Sequence, residues 1–92
     1  MEVRFTRLAD GQFSTLPPGD QAALRGRIDA VAADWPKVPP GLIRDHRLFR
    51  LATHDEIWVL KYDELRVAFT PADGRLEVLE LVPVARVLGG MA

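Results

Sequence analysis

Apolar and polar residues alternate at the start of the chain. In "EVRFTR", Val3 and Phe5 point to one side while Arg4 and Thr6 point to the other. A period of two residues is typical of a β-strand with one buried face. The sequence therefore opens with a predicted strand.

The pattern then changes to helical spacing. The segment "LADGQFSTL" predicts only a weak helix, because Gly11 lies in its middle. A second helix is predicted over residues 20–34, with Asp20 as its N-cap. Its evidence is one apolar stripe at helical spacing, formed by Leu24, Ile28, Val31 and Trp35.

The second half of the chain returns to strand-like alternation. Strands are predicted at residues 57–62, 64–70 and 75–82. The first two are joined tightly around Asp63, and "PADG" predicts the second turn. A short strand or turn is predicted near Leu48–Leu51. This order predicts a single α+β domain over residues 1–92: an N-terminal strand, two helices and a three-stranded antiparallel meander, with the helices on one face of the sheet.

Strand alternation also divides the predicted sheet into two faces. Val67 and Phe69 are assigned to the helix side, so Arg66 points to the other side. Arg66, together with Lys61 and Arg86, could form an anion site suited to phosphate on that second face. The alternative is that these cations are ordinary polar residues on the solvated side of a sheet.

The last predicted strand is apolar on both parities, which favours a central position in the sheet. If the alternation continues beyond Val82, Arg86 lies on the same face of the strand as Leu76 and Val78. Pro83 or a bulge would reverse that assignment. Glu80 introduces another alternative. If it pairs with Arg66, the arginine is already neutralised and the anion site weakens.

Composition narrows the classes of function. The 92 residues carry 12 Lys and Arg against 13 Asp and Glu, a net charge of −1. This balance argues against a protein that holds nucleic acid mainly by bulk electrostatics. The chain has no cysteine, and His46 and His54 lack the neighbours of a metal site, so neither a metal nor a cofactor is expected.

Targeting signals are also absent from the pattern. No apolar run approaches the ~18 residues that a membrane span needs. The first residues alternate instead of forming the apolar block of a signal peptide. These features predict a cytoplasmic protein without a membrane partner.

The ordered set of segments resembles the RelE/ParE superfamily of toxins from type II toxin–antitoxin systems. The resemblance covers most of the chain: the opening "EVRFT", a helical pair ending near "AADWP", a basic "HRL", the run "IWVLKYDELRVAF" and then "DGRLEVLELV". The most specific piece is the run from Ile57 to Phe69. The resemblance implies a helix–sheet toxin domain that a small cognate antitoxin binds and masks.

In the branch of the superfamily that cleaves mRNA on the ribosome, two arginines contact the scissile phosphate, and Arg66 and Arg86 match their positions. Lys61 could add charge to the same site. The resemblance thus implies a metal-independent mRNA endoribonuclease that inhibits translation, with ribosome and mRNA as partners. The C-terminal "PVARVLGGMA", however, has neither the Tyr nor the His that these nucleases usually carry there.

Two other functions remain open at this point. The ParE-like branch inhibits DNA gyrase and needs no catalytic residues. A toxin that has lost its activity would be a non-catalytic antitoxin-binding module.

Overall fold

The computed structural model describes residues 2–35, 48–50 and 57–84. Within these ranges the chain forms two helices and one sheet of five strands. In chain order the elements are β1 (Glu2–Phe5), α1 (Arg7–Ser14), α2 (Pro18–Asp34), β2 (Leu48–Arg50), β3 (Trp58–Tyr62), β4 (Leu65–Ala72) and β5 (Arg75–Pro83). The predicted α+β class, with an opening strand, two helices and a meander, is confirmed.

The strands lie side by side in the order β1-β5-β4-β3-β2. β1 is parallel to β5, whereas the pairs β5–β4, β4–β3 and β3–β2 are antiparallel. The sheet is therefore mixed, and residues 48–50 add a short edge strand to the predicted meander. β5 lies between two neighbours, which confirms the central position that its apolar character predicts.

α1 is a well-formed helix, in contrast to the weak helix predicted from Gly11. Its N-cap residue, Thr6, accepts a hydrogen bond from a backbone N–H of the first turn and donates its hydroxyl to the carbonyl of Leu79 at 2.8 Å. The side-chain oxygen of Gln12 accepts from the backbone N–H of Leu81 at 2.7 Å. These contacts with β5 hold the helix in place and offset the low helix propensity of glycine.

α2 begins at Pro18, so the prediction that Asp20 is the N-cap is wrong. Proline suits the first helical position, because its missing N–H would have no partner there and its φ angle is already helical. Asp20 lies in the first turn, where a carboxylate interacts favourably with the helix dipole. The predicted apolar stripe is buried along its whole length, at Leu24, Ile28, Val31 and Trp35.

A β-bulge interrupts the pairing of β4 with β5. The register shifts between Ala68 and Phe69, which leaves Leu79 as an extra residue on β5. Beyond the bulge the alternation is reversed, and Val82 lies opposite Arg66. The prediction that Val82 shares a face with Leu76 and Val78 is therefore wrong.

The second hairpin turn is tighter than its sequence suggests. Pro71 and Ala72 still belong to β4, so the predicted "PADG" turn contracts to Asp73 and Gly74, with φ angles of 41° and 77°. Asp63, in the β3–β4 turn, has a φ of 46°. Aspartate and glycine are among the residues that tolerate this left-handed region.

Both helices pack on one face of the sheet and enclose the core there. Its aromatic centre is built on Trp35, whose ring lies 5.2 Å from that of Trp58 and 5.5 Å from that of Phe69, both edge to face. The assignment of Val67 and Phe69 to the helix side is thereby confirmed. No helix in the described ranges combines the length and the apolar character that crossing a bilayer requires.

Candidate functional site

The candidate anion site is centred on Arg66 and Lys61, which the structure places directly opposite each other. Lys61 of β3 pairs with Arg66 of β4, and residues that pair in this way share a face. Both lie on the second face, the side of the sheet that points away from α1 and α2. Two cations at directly opposite positions repel each other. A bound anion between them would remove that repulsion.

The guanidinium of Arg66 is held at the β3–β4 turn. Its Nη1 donates to the carbonyl oxygens of Asp63 at 3.2 Å and of Leu65 at 2.9 Å. An arginine carries five N–H donors, and the other three are on Nε and Nη2. This edge of the guanidinium stays outside the contacts with the turn and can bind an anion through two parallel hydrogen bonds.

Lys61 lies over an aromatic ring on the neighbouring edge strand. Its Nζ is 5.4 Å from the ring centroid of Phe49, a cation–π contact. Val59, opposite Phe49 in the pairing of β2 with β3, is only 6% exposed. The cationic pair thus lies beside an apolar floor made by Val59, Phe49 and Ala68.

Charges balance on the side of the second face that is nearer to β1. Arg4 pairs with Glu2 at 3.3 Å, and Arg75 lies 3.9 Å from Glu77. Both ion pairs are partly exposed, and pairs of this kind contribute little to stability. Glu80, opposite Ala68 in the pairing of β4 with β5, also lies on the second face, so Lys61 and Arg66 form a cationic pair with one carboxylate nearby.

Some of the residues singled out in the sequence fall outside the described ranges. These are Arg86, His46 and His54. The position of Arg86 beside Arg66 therefore stays a prediction. Among the residues that the structure does describe, no group of three His, Asp or Glu side chains is arranged to hold a metal ion.

Tyr62 lies on the opposite face from Arg66. It is 9% exposed in the core under the helices, and its hydroxyl donates to Asp20 Oδ1 at 3.4 Å. The guanidinium of Arg27 lies 5.6 Å from the centre of its ring. Tyr62 therefore cannot move protons at an anion held by Arg66.

The surroundings of Tyr62 raise the pKa of its hydroxyl above the usual 10.0. Burial is the largest cause, followed by the negative charges of Asp20 and Asp63 and by the hydrogen bond to Asp20, while Arg27 opposes them. All of these except Arg27 disfavour the phenolate.

We expect the absorbance titration of the folded protein to show a tyrosinate midpoint above pH 10.0, and the chain has one tyrosine to report it. Because the unfolded chain loses this proton first, the stability that Tyr62 contributes is complete below pH 10. It is lost as the pH rises through the folded pKa. Asp20→Asn should lower the midpoint. A midpoint at or below 10.0 in the wild type would contradict this environment.

One feature of the site has no counterpart in the sequence predictions. Three acidic residues, Asp20, Asp63 and Glu64, line a cavity of about 620 Å³ beside Tyr62. The segment "YDE" supplies two of these carboxylates, but Asp20 is 43 residues before Asp63. Only the packing of α2 against β3 brings them together.

No protein-family model and no curated protein matches this chain. Solved structures that share its fold include three complexes of RelE with RelB. A chain of the archaeal RelE–RelB complex from Pyrococcus horikoshii OT3 matches with a TM-score of 0.69 and 15% identity, over 92% of this chain and 96% of its own length. A chain of the E. coli RelBE toxin–antitoxin complex matches with a TM-score of 0.68 and 14% identity, over 89% of this chain and 94% of its own length. A chain of the RelB–RelE complex from Methanococcus jannaschii matches with a TM-score of 0.71 and 4% identity, over 97% of this chain and 99% of its own length.

These matches extend over nearly the whole length of each chain. The expected RelE-like fold is therefore confirmed. At 4–15% identity the likeness concerns the fold, and function has to be argued from the site.

Proposed function

We propose that this chain is the toxin of a type II toxin–antitoxin system, and that it inhibits translation by cleaving mRNA on the ribosome. The observation that carries the proposal is the position of Arg66 opposite Lys61 on the second face of a RelE-like fold. The structural relatives are complexes of RelE with RelB, which supports a cognate antitoxin as the partner of this chain in the cytoplasm.

The chemistry is attack of a ribose 2′-oxygen on the adjacent phosphorus. The 2′-hydroxyl loses its proton, a bond forms between the 2′-oxygen and phosphorus, and the bond to the 5′-oxygen breaks as that oxygen takes up a proton. Negative charge builds on the phosphate oxygens in the transition state. Arg66, with Lys61 beside it and Arg86 as the second phosphate contact, would stabilise that charge.

A near-neutral toxin can still act on RNA if its charge is local. The net charge is −1, but Lys61 and Arg66 lie directly opposite each other on the second face, next to the β3–β4 turn. Specific contacts with one phosphate need only this local group, whereas the ribosome supplies the remaining contacts with the message.

A second candidate is a non-catalytic antitoxin-binding module. It is favoured by the two hydrogen bonds from Arg66 Nη1 to the turn carbonyls, because they give the arginine a structural task. In that case Arg66 fixes the β3–β4 turn and takes no part in chemistry.

Pulse labelling after induction in bacteria tests the proposal. Protein synthesis and DNA synthesis are followed separately, with and without co-expression of the antitoxin. We expect protein synthesis to stop first, new 5′ ends to appear within mRNA, and the antitoxin to prevent both. An early stop in DNA synthesis would point instead to gyrase. No effect on either synthesis would favour the binding module.

A further inference from the structure

A groove runs along the helix side of the sheet, away from the cations of the second face. It consists of two adjoining cavities of about 620 and 210 Å³, which share Leu16 and Leu65. The larger is completed by Asp20, Tyr62, Asp63 and Glu64. The smaller is completed by Gln12, Thr15, Leu81 and Pro83. We refer to the two cavities together as the turn groove.

The floor of the turn groove is apolar. Leu81 is buried, whereas Leu16 and Leu65 are half-buried and pack against the edge of the core. The half-buried leucines retain apolar surface that a ligand could remove from water. Removing apolar surface from water contributes roughly 25 cal/mol per Å². An aliphatic side chain is the group that fits this floor.

The larger cavity is acidic at its rim. Asp63 and Glu64 are exposed in the β3–β4 turn, and Asp20 faces them from the first turn of α2. Burial is the largest cause of the raised pKa of the Tyr62 hydroxyl, and the negative charges of Asp20 and Asp63 raise it further. Arg27 is the cation that the structure places against this tyrosine, on its ring face. The rim therefore complements a cationic side chain.

We propose that the turn groove binds a short segment of the antitoxin, in which an aliphatic side chain packs on Leu16 and Leu65 and a neighbouring Arg or Lys pairs with Asp63 and Glu64. This inference rests on the proposed function, because it assumes that the partner is an antitoxin. Charge complementarity selects the occupant: the groove accepts a basic segment, whereas the second face accepts an acidic group or a phosphate.

The two surfaces meet at one place on the molecule. Asp63 lines the turn groove, and its carbonyl oxygen accepts the hydrogen bond from Arg66. A partner chain that passes around the β3–β4 turn can therefore contact both surfaces in succession. Such a partner would carry aliphatic and basic residues in the stretch that contacts the turn groove. It would carry acidic residues in a separate stretch that contacts the second face.

The first test uses a capped synthetic peptide, Gly-Ser-Leu-Arg-Leu-Ser-Gly, and the amide NMR spectrum of the full chain. We expect shifts at Leu16 and Asp63–Leu65 and none at Val59 or Ala68 on the second face. A peptide with Glu in place of Arg should produce no shifts. The absence of shifts with the Arg peptide, or equal shifts with both peptides, would overturn the inference.

The second test measures the affinity of the antitoxin for variants of the rim. The double variant Asp63→Asn, Glu64→Gln removes two charges, and asparagine tolerates the φ of 46° at position 63 as aspartate does. We expect the Kd to rise about 10-fold, since each partly exposed ion pair contributes modestly. Asp73→Asn is the matched control: its φ is 41°, in the other hairpin turn and outside the groove, and it should leave the Kd unchanged.

The results distinguish a failure of the groove proposal from a failure of the proposed function. If the wild type binds the antitoxin and the rim variant binds equally well, the turn groove is not the docking site, and the toxin–antitoxin assignment stands. If the wild type binds no antitoxin, the assignment itself is wrong, and the antitoxin is not the occupant of the groove.

Discussion

Replacing Arg66 by alanine is expected to abolish growth inhibition and to lower the rate of mRNA cleavage on the ribosome by about 10²–10³-fold, the usual effect of removing one donor that stabilises transition-state charge. The reason is geometric. Arg66 lies directly opposite Lys61 on the second face, and its Nη1 is held by the turn carbonyls, which leaves Nε and Nη2 for an anion. Single-turnover cleavage of a ribosome-bound message gives the rate.

Two further variants make this result interpretable. Arg66→Lys keeps the charge but loses the paired N–H donors, so we expect an intermediate loss of activity. Arg4→Ala removes an exposed arginine near the β1 edge of the same sheet, and it should leave the cleavage rate unchanged.

The stability of each variant has to be measured in parallel. Arg66→Ala loses two hydrogen bonds at the β3–β4 turn, so thermal unfolding shows whether the fold survives. A folded Arg66→Ala protein that remains as toxic as the wild type at equal abundance would exclude the anion site at this position.

Replacing Phe69 by alanine should cost about 3–5 kcal/mol of the free energy of unfolding, the usual range for truncating a buried aromatic residue. Phe69 is 2% exposed and packs edge to face with Trp35, which in turn packs on Trp58. A small domain has only about 5–15 kcal/mol of stability in total. The variant is therefore expected to lie close to global unfolding.

Phe49→Ala is the matched control for this loss. The substitution is chemically the same, but Phe49 is 36% exposed and lies on an edge strand. We expect a cost of about 1 kcal/mol or less, including its cation–π contact with Lys61. Urea unfolding monitored by circular dichroism compares the two variants. Equal losses in the free energy of unfolding would mean that the Trp35–Phe69 contact is not central to the core.

The faces of the strands could be predicted because alternation is a local property. In β4, Val67 and Phe69 lie in the core on the helix side, as the sequence predicts, and Arg66 faces the other way together with Lys61. The stripe of α2 is equally local, since residues at helical spacing must share one side. The sequence therefore supplied the class of the fold and the cationic pair.

The irregular features could not be predicted in this way, because they depend on partners far along the chain. α1 is fixed by hydrogen bonds that connect Thr6 and Gln12 to β5 across 73 and 69 residues. The bulge at Leu79 is a property of the pairing between two strands, and it reverses the face of every later residue of β5.

The α+β order, the buried stripe and the side of the sheet on which Arg66 and Lys61 lie thus follow from local sequence patterns. Three features required the packed fold: the parallel pairing of β1 with β5, the anchoring of the Arg66 guanidinium at the turn carbonyls, and the groove that Asp20 lines with Asp63 and Glu64. Periodic burial is encoded residue by residue, whereas register, anchoring and cavities arise when distant segments pack.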